Sequence, residues 1–147
     1  MADTTPASRD DQRATLDLPQ ELVSASVARR FVEATLRTWG LGPLAEDALL
    51  VVTEMTANAV THARSSSELV LERRPAGVRI ELTDGGSGIP EQQTVNYTSE
   101  HGRGLLLIAA LSAEWGTRTL AGTGKLVWAE LVLAGAGTDG QVLAPLR

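Results

Sequence analysis

With 147 residues, the chain is long enough to form one domain that buries a core without disulfides or metals. Apolar residues make up 43% of it, an ordinary level for a globular protein, and there is no cysteine, which excludes a disulfide framework, a thiolate nucleophile and a cysteine-based metal site. The net charge of −5 argues against nucleic acid as the main partner, because such binding rests on a basic patch. The first residues lack the apolar region of a signal peptide and no apolar run could span a bilayer, so we expect a cytoplasmic protein.

The first part of the chain predicts a strand followed by two helices. Small or apolar side chains alternate with polar ones over residues 14–18, which predicts a short strand. Apolar residues then recur at helical spacing, with Pro19 in the first turn and Gly40 at the end of the predicted helix. A second helix is expected over about residues 43–64, opened by Pro43.

The middle of the chain changes from helical to strand periodicity. Residues 69–71 and 78–82 predict two strands joined by a turn at residues 75–77. From Gly104 onward, the apolar run of residues 105–111 predicts a mostly buried helix.

Two further strands are expected over residues 116–120 and 126–133. Helices precede strands and do not alternate with them regularly, which favours an α+β fold with an antiparallel or mixed sheet layered on helices. We therefore expect a flexible leader over residues 1–13, a single domain over residues 14–133 and a Gly-rich tail over residues 134–147.

The second predicted helix carries a carboxylate and an amide at the edge of its apolar face. At about 100° per residue, one apolar stripe is formed by Leu44, Ala48, Val51, Val52, Met55, Ala59 and Ala63. Glu54 and Asn58 lie one turn apart at the rim of this stripe, where a cleft could form. A solvated helix edge is the alternative for this pair taken alone. For His62, a packed and hydrogen-bonded core side chain is favoured over a ligand.

A glycine-rich segment follows the second strand of the hairpin. Asp84 ends this strand, and three of the next four residues are glycine. A simple turn is one explanation. The other is a pocket where a flat ligand lies against the backbone, with the Asp84 carboxylate at its mouth. A carboxylate accepts hydrogen bonds without donating them, so it suits the exocyclic amino group of adenine and not the carbonyl of guanine.

Gly102-Arg103-Gly104 directly precedes the next predicted helix. Helix N-termini bind anions through unsatisfied N–H groups and the helix dipole, and bare glycine backbone can approach a phosphate closely. A glycine cap is the alternative for this motif alone. The motif is neither a Walker A nor a Rossmann fingerprint, because it lacks the Gly-Lys-Ser/Thr ending and no strand leads directly into its glycines.

In this order, the three motifs resemble those of the GHKL ATP-binding superfamily, which includes histidine kinases and gyrase. The chain is most similar to the bacterial anti-sigma-factor serine kinases and their actinobacterial relatives. The helical pair corresponds to the N box, the motif beginning with Asp84 to the G1 box, and residues 102–105 to the G2 box. The resemblance covers residues 14–133 and implies a two-layer sandwich of helices on a mixed, mostly antiparallel sheet, the Bergerat fold.

The resemblance also implies a role for each site residue. Glu54 would be the general base of phosphoryl transfer, Asn58 would bind Mg²⁺ and the nucleotide, and Asp84 would bind adenine. The other nucleotide-binding residues that it implies are Gly86, Gly88, Ile89, Gly102, Arg103, Gly104, Leu105 and Thr123. A single asparagine carbonyl is enough for Mg²⁺, which keeps several water and phosphate ligands.

The implied function is that of a serine/threonine protein kinase that uses ATP and Mg²⁺, phosphorylates an anti-sigma-factor antagonist and sequesters a sigma factor. An ATP-regulated binding module without kinase activity and an ATP hydrolase are the alternatives. Neither nucleic acid nor a membrane is an expected partner. A homodimer built from the N-terminal strand and first helix is expected, although their apolar residues could instead pack the monomer core. Those residues are Leu16, Leu18, Leu22, Phe31 and Leu36.

Overall fold

The computed structural model describes residues 7–9, 11–19, 24–62, 66–84, 100–120 and 124–134, with backbone alone for residues 7–9, 60–62 and 100–103. In chain order, the elements are β1 (Ala7–Arg9), β2 (Arg13–Leu18), α1 (Ser24–Thr38), a 3₁₀ turn (Gly42–Leu44), α2 (Ala45–His62), β3 (Ser67–Arg74), β4 (Gly77–Asp84), α3 (Glu100–Leu111), β5 (Glu114–Thr119) and β6 (Lys125–Val132).

The six strands form one sheet in the order β1-β2-β3-β4-β6-β5. Every strand pairing among the described residues is antiparallel. The prediction of an α+β sandwich of helices on a sheet is confirmed, although the described strands include no parallel pair. Because β6 lies between β4 and β5, the chain leaves β4, forms α3 and β5, and then returns to pair beside β4.

One face of the sheet packs against the helices and forms the core. Side chains alternate along a strand, so every second residue of β3, β4 and β6 points to this side. The helices contribute the apolar stripe predicted for α2 and a similar stripe from α1. Fully or almost fully buried members of this core include Val32, Leu36, Val51, Met55, Leu69, Leu71, Ile80, Leu82, Ala129 and Leu131.

Gly40 terminates helix α1, as predicted, and the end of the helix is a Schellman motif. Gly40 has φ of 75°, a left-handed conformation that glycine adopts without strain. The N–H of Leu41 donates to the carbonyl of Leu36 at 2.7 Å, and the N–H of Gly40 donates to that of Arg37 at 3.1 Å. Leu41 and Leu36 are both buried, which supplies the apolar contact of the motif.

The N-terminal region differs from the prediction at two points. Ala7–Arg9, within the predicted flexible leader, forms β1 and pairs with β2. Pro19 follows β2 and is not helical, so the predicted helix start at this residue is wrong, and the described part of α1 begins at Ser24. The Ser24 hydroxyl donates to the carbonyl of Pro19 and so ties the start of α1 to the end of β2.

Four of the apolar residues considered for a dimer interface are buried within the single chain. These are Leu16 and Leu18 of β2 and Phe31 and Leu36 of α1. They support the core-packing alternative, while Leu22 lies outside the described residues. The homodimer stays a prediction that needs other surface residues.

The face of the sheet away from the core carries a charged cluster centred on Arg79. Its guanidinium donates to Glu81 at 2.7 Å and to Glu130 at 3.0 Å, and it lies 4.2 Å from the ring centroid of Trp128. Burial by itself lowers the pKa of Arg79, but the hydrogen bonds and negative charges of the two glutamates outweigh it and raise that pKa. This cluster is a satisfied ion-pair and cation–π network.

Within the described residues, no helix is both long enough and apolar enough to cross a membrane.

Candidate nucleotide site

Helix α2 presents Glu54 and Asn58 one turn apart at the edge of its buried face. Both side chains are half-buried, whereas Met55 and Ala59, the residues that follow them, lie in the core. The pair therefore has the rim position that its periodicity predicts. The described part of the chain offers neither side chain a hydrogen-bond or ion-pair partner.

The hydroxyl groups on the same part of α2 are satisfied within the helix. Thr53 donates to the carbonyl of Leu49 at 2.6 Å, and Thr56 donates to that of Val52 at 2.9 Å. Thr53 also accepts a hydrogen bond from Arg29 of α1 at 3.3 Å. The bond from Arg29 is the one of these contacts that joins α2 to another helix, and the two threonine hydroxyls are engaged within the fold.

Helix α3 contacts α2 at Glu54. A Cβ added to Gly104 would lie 2.6 Å from Oε1 of Glu54, 3.6 Å from its Cδ and 3.8 Å from its Cβ. The Glu54 side chain therefore runs along the backbone of α3 at this point. The structure thus brings together one residue of the predicted N box and one of the predicted G2 box.

The glycines of the G2 box lie inside α3 and do not precede it. The described part of α3 begins at Glu100, so Gly102, Arg103 and Gly104 are all helical residues. Only the first four N–H groups of a helix lack a partner within it and could bind a phosphate. Gly104 is at least the fifth residue of α3, so its N–H group is not one of these four.

The prediction that this helix is mostly buried is wrong. Ile108 is fully buried, but Leu106 is 51% exposed, and Leu105 is half-buried and packs against the edge of the core. The two sides of this apolar helix have different surroundings, because α3 covers the edge of α2 and contacts the sheet mainly at β5. One side faces the core, and the other faces solvent.

Asp84 is the last residue of β4 and lies on the helix-covered face of the sheet. Ile80 and Leu82 precede it at alternate positions and are buried in the core, so Asp84 points to the same side. Its partners in the neighbouring strands are Ser67 of β3 and Lys125 of β6. Helix α2 packs across β4 and β6, so Asp84 ends a strand on which the N-box helix lies.

Lys125, for which the sequence motifs predict no role, is a further candidate functional residue. Directly opposed residues on antiparallel strands have their Cβ atoms roughly 4.5–5.5 Å apart and on the same face. Lys125 and Asp84 are such a pair, so a positive charge lies beside the residue expected to bind adenine. Its position next to Gly124, at the start of an apolar strand, was the available signal.

The remaining predicted nucleotide-binding residues lie outside the described residues. They are Gly86, Gly88, Ile89 and Thr123.

The described residues fit a nucleotide with Mg²⁺ better than a protein-caged metal. No group of three or more histidine, aspartate or glutamate side chains that could hold a metal occurs within the described ranges. The half-buried amide of Asn58 is the type of single oxygen ligand that a phosphate-bound Mg²⁺ requires. Glu54, one turn away, offers a carboxylate, which is a group that can act as a base.

Comparison with known proteins identifies the family of the chain. The model of a family described as "Histidine kinase-like ATPase domain" matches residues 18–131, a span that contains all three predicted boxes. No curated protein matches the chain. The family implies that the domain binds ATP. The chain belongs to the histidine kinase-like ATPase domain family.

Proposed function

We propose that the protein is a serine/threonine protein kinase of the anti-sigma-factor type. It uses ATP and Mg²⁺, phosphorylates an anti-sigma-factor antagonist and, in a second complex, sequesters a sigma factor. The single observation that carries the kinase assignment is the half-buried pair of Glu54 and Asn58 on α2, at its contact with α3.

In the proposed reaction, the protein positions the reactants and stabilises charge, and it forms no covalent intermediate. ATP with Mg²⁺ supplies the phosphoryl group and the charge that offsets its oxygens. Asn58 would hold Mg²⁺ through its side-chain carbonyl, and Asp84 would accept a hydrogen bond from adenine. Glu54 would take the proton from the attacking serine or threonine hydroxyl, a role that requires a carboxylate within hydrogen-bond reach of that hydroxyl.

An ATP-regulated binding module is the second candidate, and an ATP hydrolase is the third. Glu54 favours the two enzymes over the module, because a binding module has no need of a carboxylate held at this point. The exposed side chains of α3, such as Leu106, offer a partner protein an apolar contact beside the site in any of the three cases.

Incubation with γ-labelled ATP, Mg²⁺ and small candidate antagonist proteins encoded nearby separates these functions. Label on a serine or threonine of the antagonist is the result expected of the kinase. Labelled inorganic phosphate without labelled protein would establish the hydrolase instead. Tight ATP binding with neither product, together with ATP-dependent capture of a sigma factor, would establish the binding module.

The proposed Mg²⁺ ligand has its own test, which is the Asn58→Ala variant. We expect ATP affinity to fall when Mg²⁺ is present and to change little when EDTA is added, because only the metal-bridged contact is lost. Ala57→Ser is the matched control, because Ala57 is an exposed neighbour on the same helix. If ATP affinity depended equally on Mg²⁺ in Asn58→Ala and in the wild type, Asn58 would not be the Mg²⁺ ligand.

A further inference from the structure

We propose that Gly104 is a positioning residue for Glu54. The missing side chain at this position leaves the space in which the Glu54 carboxylate rests against α3. This inference rests on the proposed function, in which Glu54 is the general base, and it gives Gly104 a task other than binding phosphate.

Among the described residues outside the neighbouring part of α3, the three atoms nearest to a Cβ at residue 104 all belong to Glu54. The closest, Oε1, lies 2.6 Å away, well inside the contact distance of a carbon and an oxygen atom. The Cβ of Glu54 lies 3.8 Å away, which is an ordinary contact. The methyl group of an alanine at residue 104 would therefore clash with the Glu54 carboxylate, whereas its contact with the rest of the glutamate side chain would be normal.

No other feature of Gly104 calls for glycine. The positive-φ glycines of the described residues are Gly40 and Gly124, so the backbone at Gly104 is open to alanine. The residue lies inside α3, where glycine is less favourable than alanine. Its N–H group comes after the first four of the helix, so it is not among those left free for an anion.

The expected consequence of a methyl group at residue 104 is a displaced carboxylate in a folded protein. Glu54 is half-buried and its side chain is flexible, so the carboxylate can turn away without moving either helix. Displacement of a catalytic group by about 1 Å can cost roughly 10²-fold in rate. Gly104→Ala should therefore impair transfer far more than it impairs ATP binding.

The experiment is a double-mutant cycle with Gly104→Ala, Glu54→Ala and the double variant. The transfer rate to the antagonist, ATP affinity and urea unfolding midpoint are measured for each. Gly104→Ala is expected to lower the rate by roughly 10²-fold in the wild-type background. It should not lower the residual rate of Glu54→Ala any further, because the group through which it acts is absent.

Unfolding gives a readout that does not depend on activity. In the Glu54→Ala background, Gly104→Ala should raise the urea midpoint, as alanine does in a helix interior, and this gain should shrink or vanish when Glu54 is present. Gly42→Ala is the matched control, because a Cβ at Gly42 meets no atom within 4 Å. It should leave the transfer rate and ATP affinity unchanged.

Three results would overturn the positioning role. They are a wild-type transfer rate in Gly104→Ala, an equal loss of rate in both backgrounds, and a loss of ATP affinity that accounts for the whole loss of rate. If the wild type transfers no phosphate, the proposed function fails. The urea midpoints of the four proteins then test the contact between Gly104 and Glu54. Non-additive changes in the midpoint would support the contact, and additive changes would contradict it.

Discussion

The Arg79 cluster on the outer face of the sheet and the Glu54–Asn58 pair on α2 differ in whether their polar side chains have partners. On the outer face, Arg79 is enclosed by two glutamates and the ring of Trp128, and each charge has a partner. On the helix-covered side, Glu54 and Asn58 are also withdrawn from solvent, but the described part of the chain gives them no polar partner.

This difference separates groups that stabilise the fold from groups that serve a ligand. Burial removes a charged group from water at a cost in free energy, and pairing and hydrogen bonding offset this desolvation cost. When one partner is removed, the desolvation cost of the other is no longer offset, and the protein is destabilised. A half-buried polar group without a partner does not stabilise the protein, but it is ready to bind. Substitutions in the Arg79 cluster should therefore change stability, and those at Glu54 and Asn58 should change binding or catalysis.

The largest expected effect is that of Glu54→Gln on phosphoryl transfer. The amide keeps the size of the side chain but is a far weaker base, so the rate should fall by ~10²–10⁴-fold, with ATP affinity and stability nearly unchanged. Single-turnover transfer to a verified antagonist measures the rate. Glu46→Gln is the matched control, because Glu46 is an exposed glutamate on the same helix. A full wild-type rate in Glu54→Gln would end the general-base assignment.

The next effect concerns the choice of nucleotide by Asp84. We expect ATP to bind at least about tenfold more tightly than GTP, because a carboxylate facing the guanine carbonyl leaves a buried acceptor unpaired at a cost of about 1–3 kcal/mol. Asp84→Asn should reduce this preference, since an amide can donate as well as accept. Calorimetry with both nucleotides measures it, with the exposed Asp17→Asn as control. Equal ATP and GTP affinity in the wild type would show that Asp84 does not select adenine.

On the outer face, Arg79→Met should lower the free energy of unfolding by about 1–2 kcal/mol. Methionine keeps the apolar stem against Trp128, but Glu81 and Glu130 lose their shared cation. Urea unfolding measures the change, and ATP affinity should stay at its wild-type value. Arg30→Met is the control, because Arg30 is exposed on α1. If the two variants unfolded at the same urea concentration, the cluster would have no stabilising role.

The smallest effect is expected for an exposed pair on α1. Glu33 and Arg37 form an i, i+4 ion pair with an N–O distance of 2.8 Å. Because both side chains face solvent, Glu33→Gln should cost only ~0.3–0.5 kcal/mol, and 1 M salt should remove most of the difference. A loss as large as that of Arg79→Met would contradict the view that burial makes the outer-face cluster stabilising.

Elements with a regular local pattern were predictable from the chain alone. The stripe from Leu44 to Ala59 is buried as its helical spacing requires, and Gly40 ends α1 in the predicted position. The predicted strands over residues 69–71 and 78–82 lie at the centres of β3 and β4. Such patterns are predictive because each depends on residues within a few positions of one another.

Predictions that depended on distant neighbours were less accurate. The apolar run in α3 predicted a mostly buried helix, yet only one side of the helix meets the core, because nothing in the run itself says which elements cover it. The same limit applies to β1, whose three residues have no strand pattern and pair only because β2 is beside them.

The sequence by itself determined the class of the fold, the order of the three boxes and the placement of Glu54 and Asn58 at the rim of one helix. Only the tertiary structure decided that Gly104 lies against Glu54, that Lys125 is opposite Asp84, and that Arg79 joins residues from two strands. The physical reason is the range of the interactions. Periodicity and turn chemistry act over a few residues, whereas these contacts exist only once the packing of α2 on α3 and of β4 on β6 has brought distant segments together.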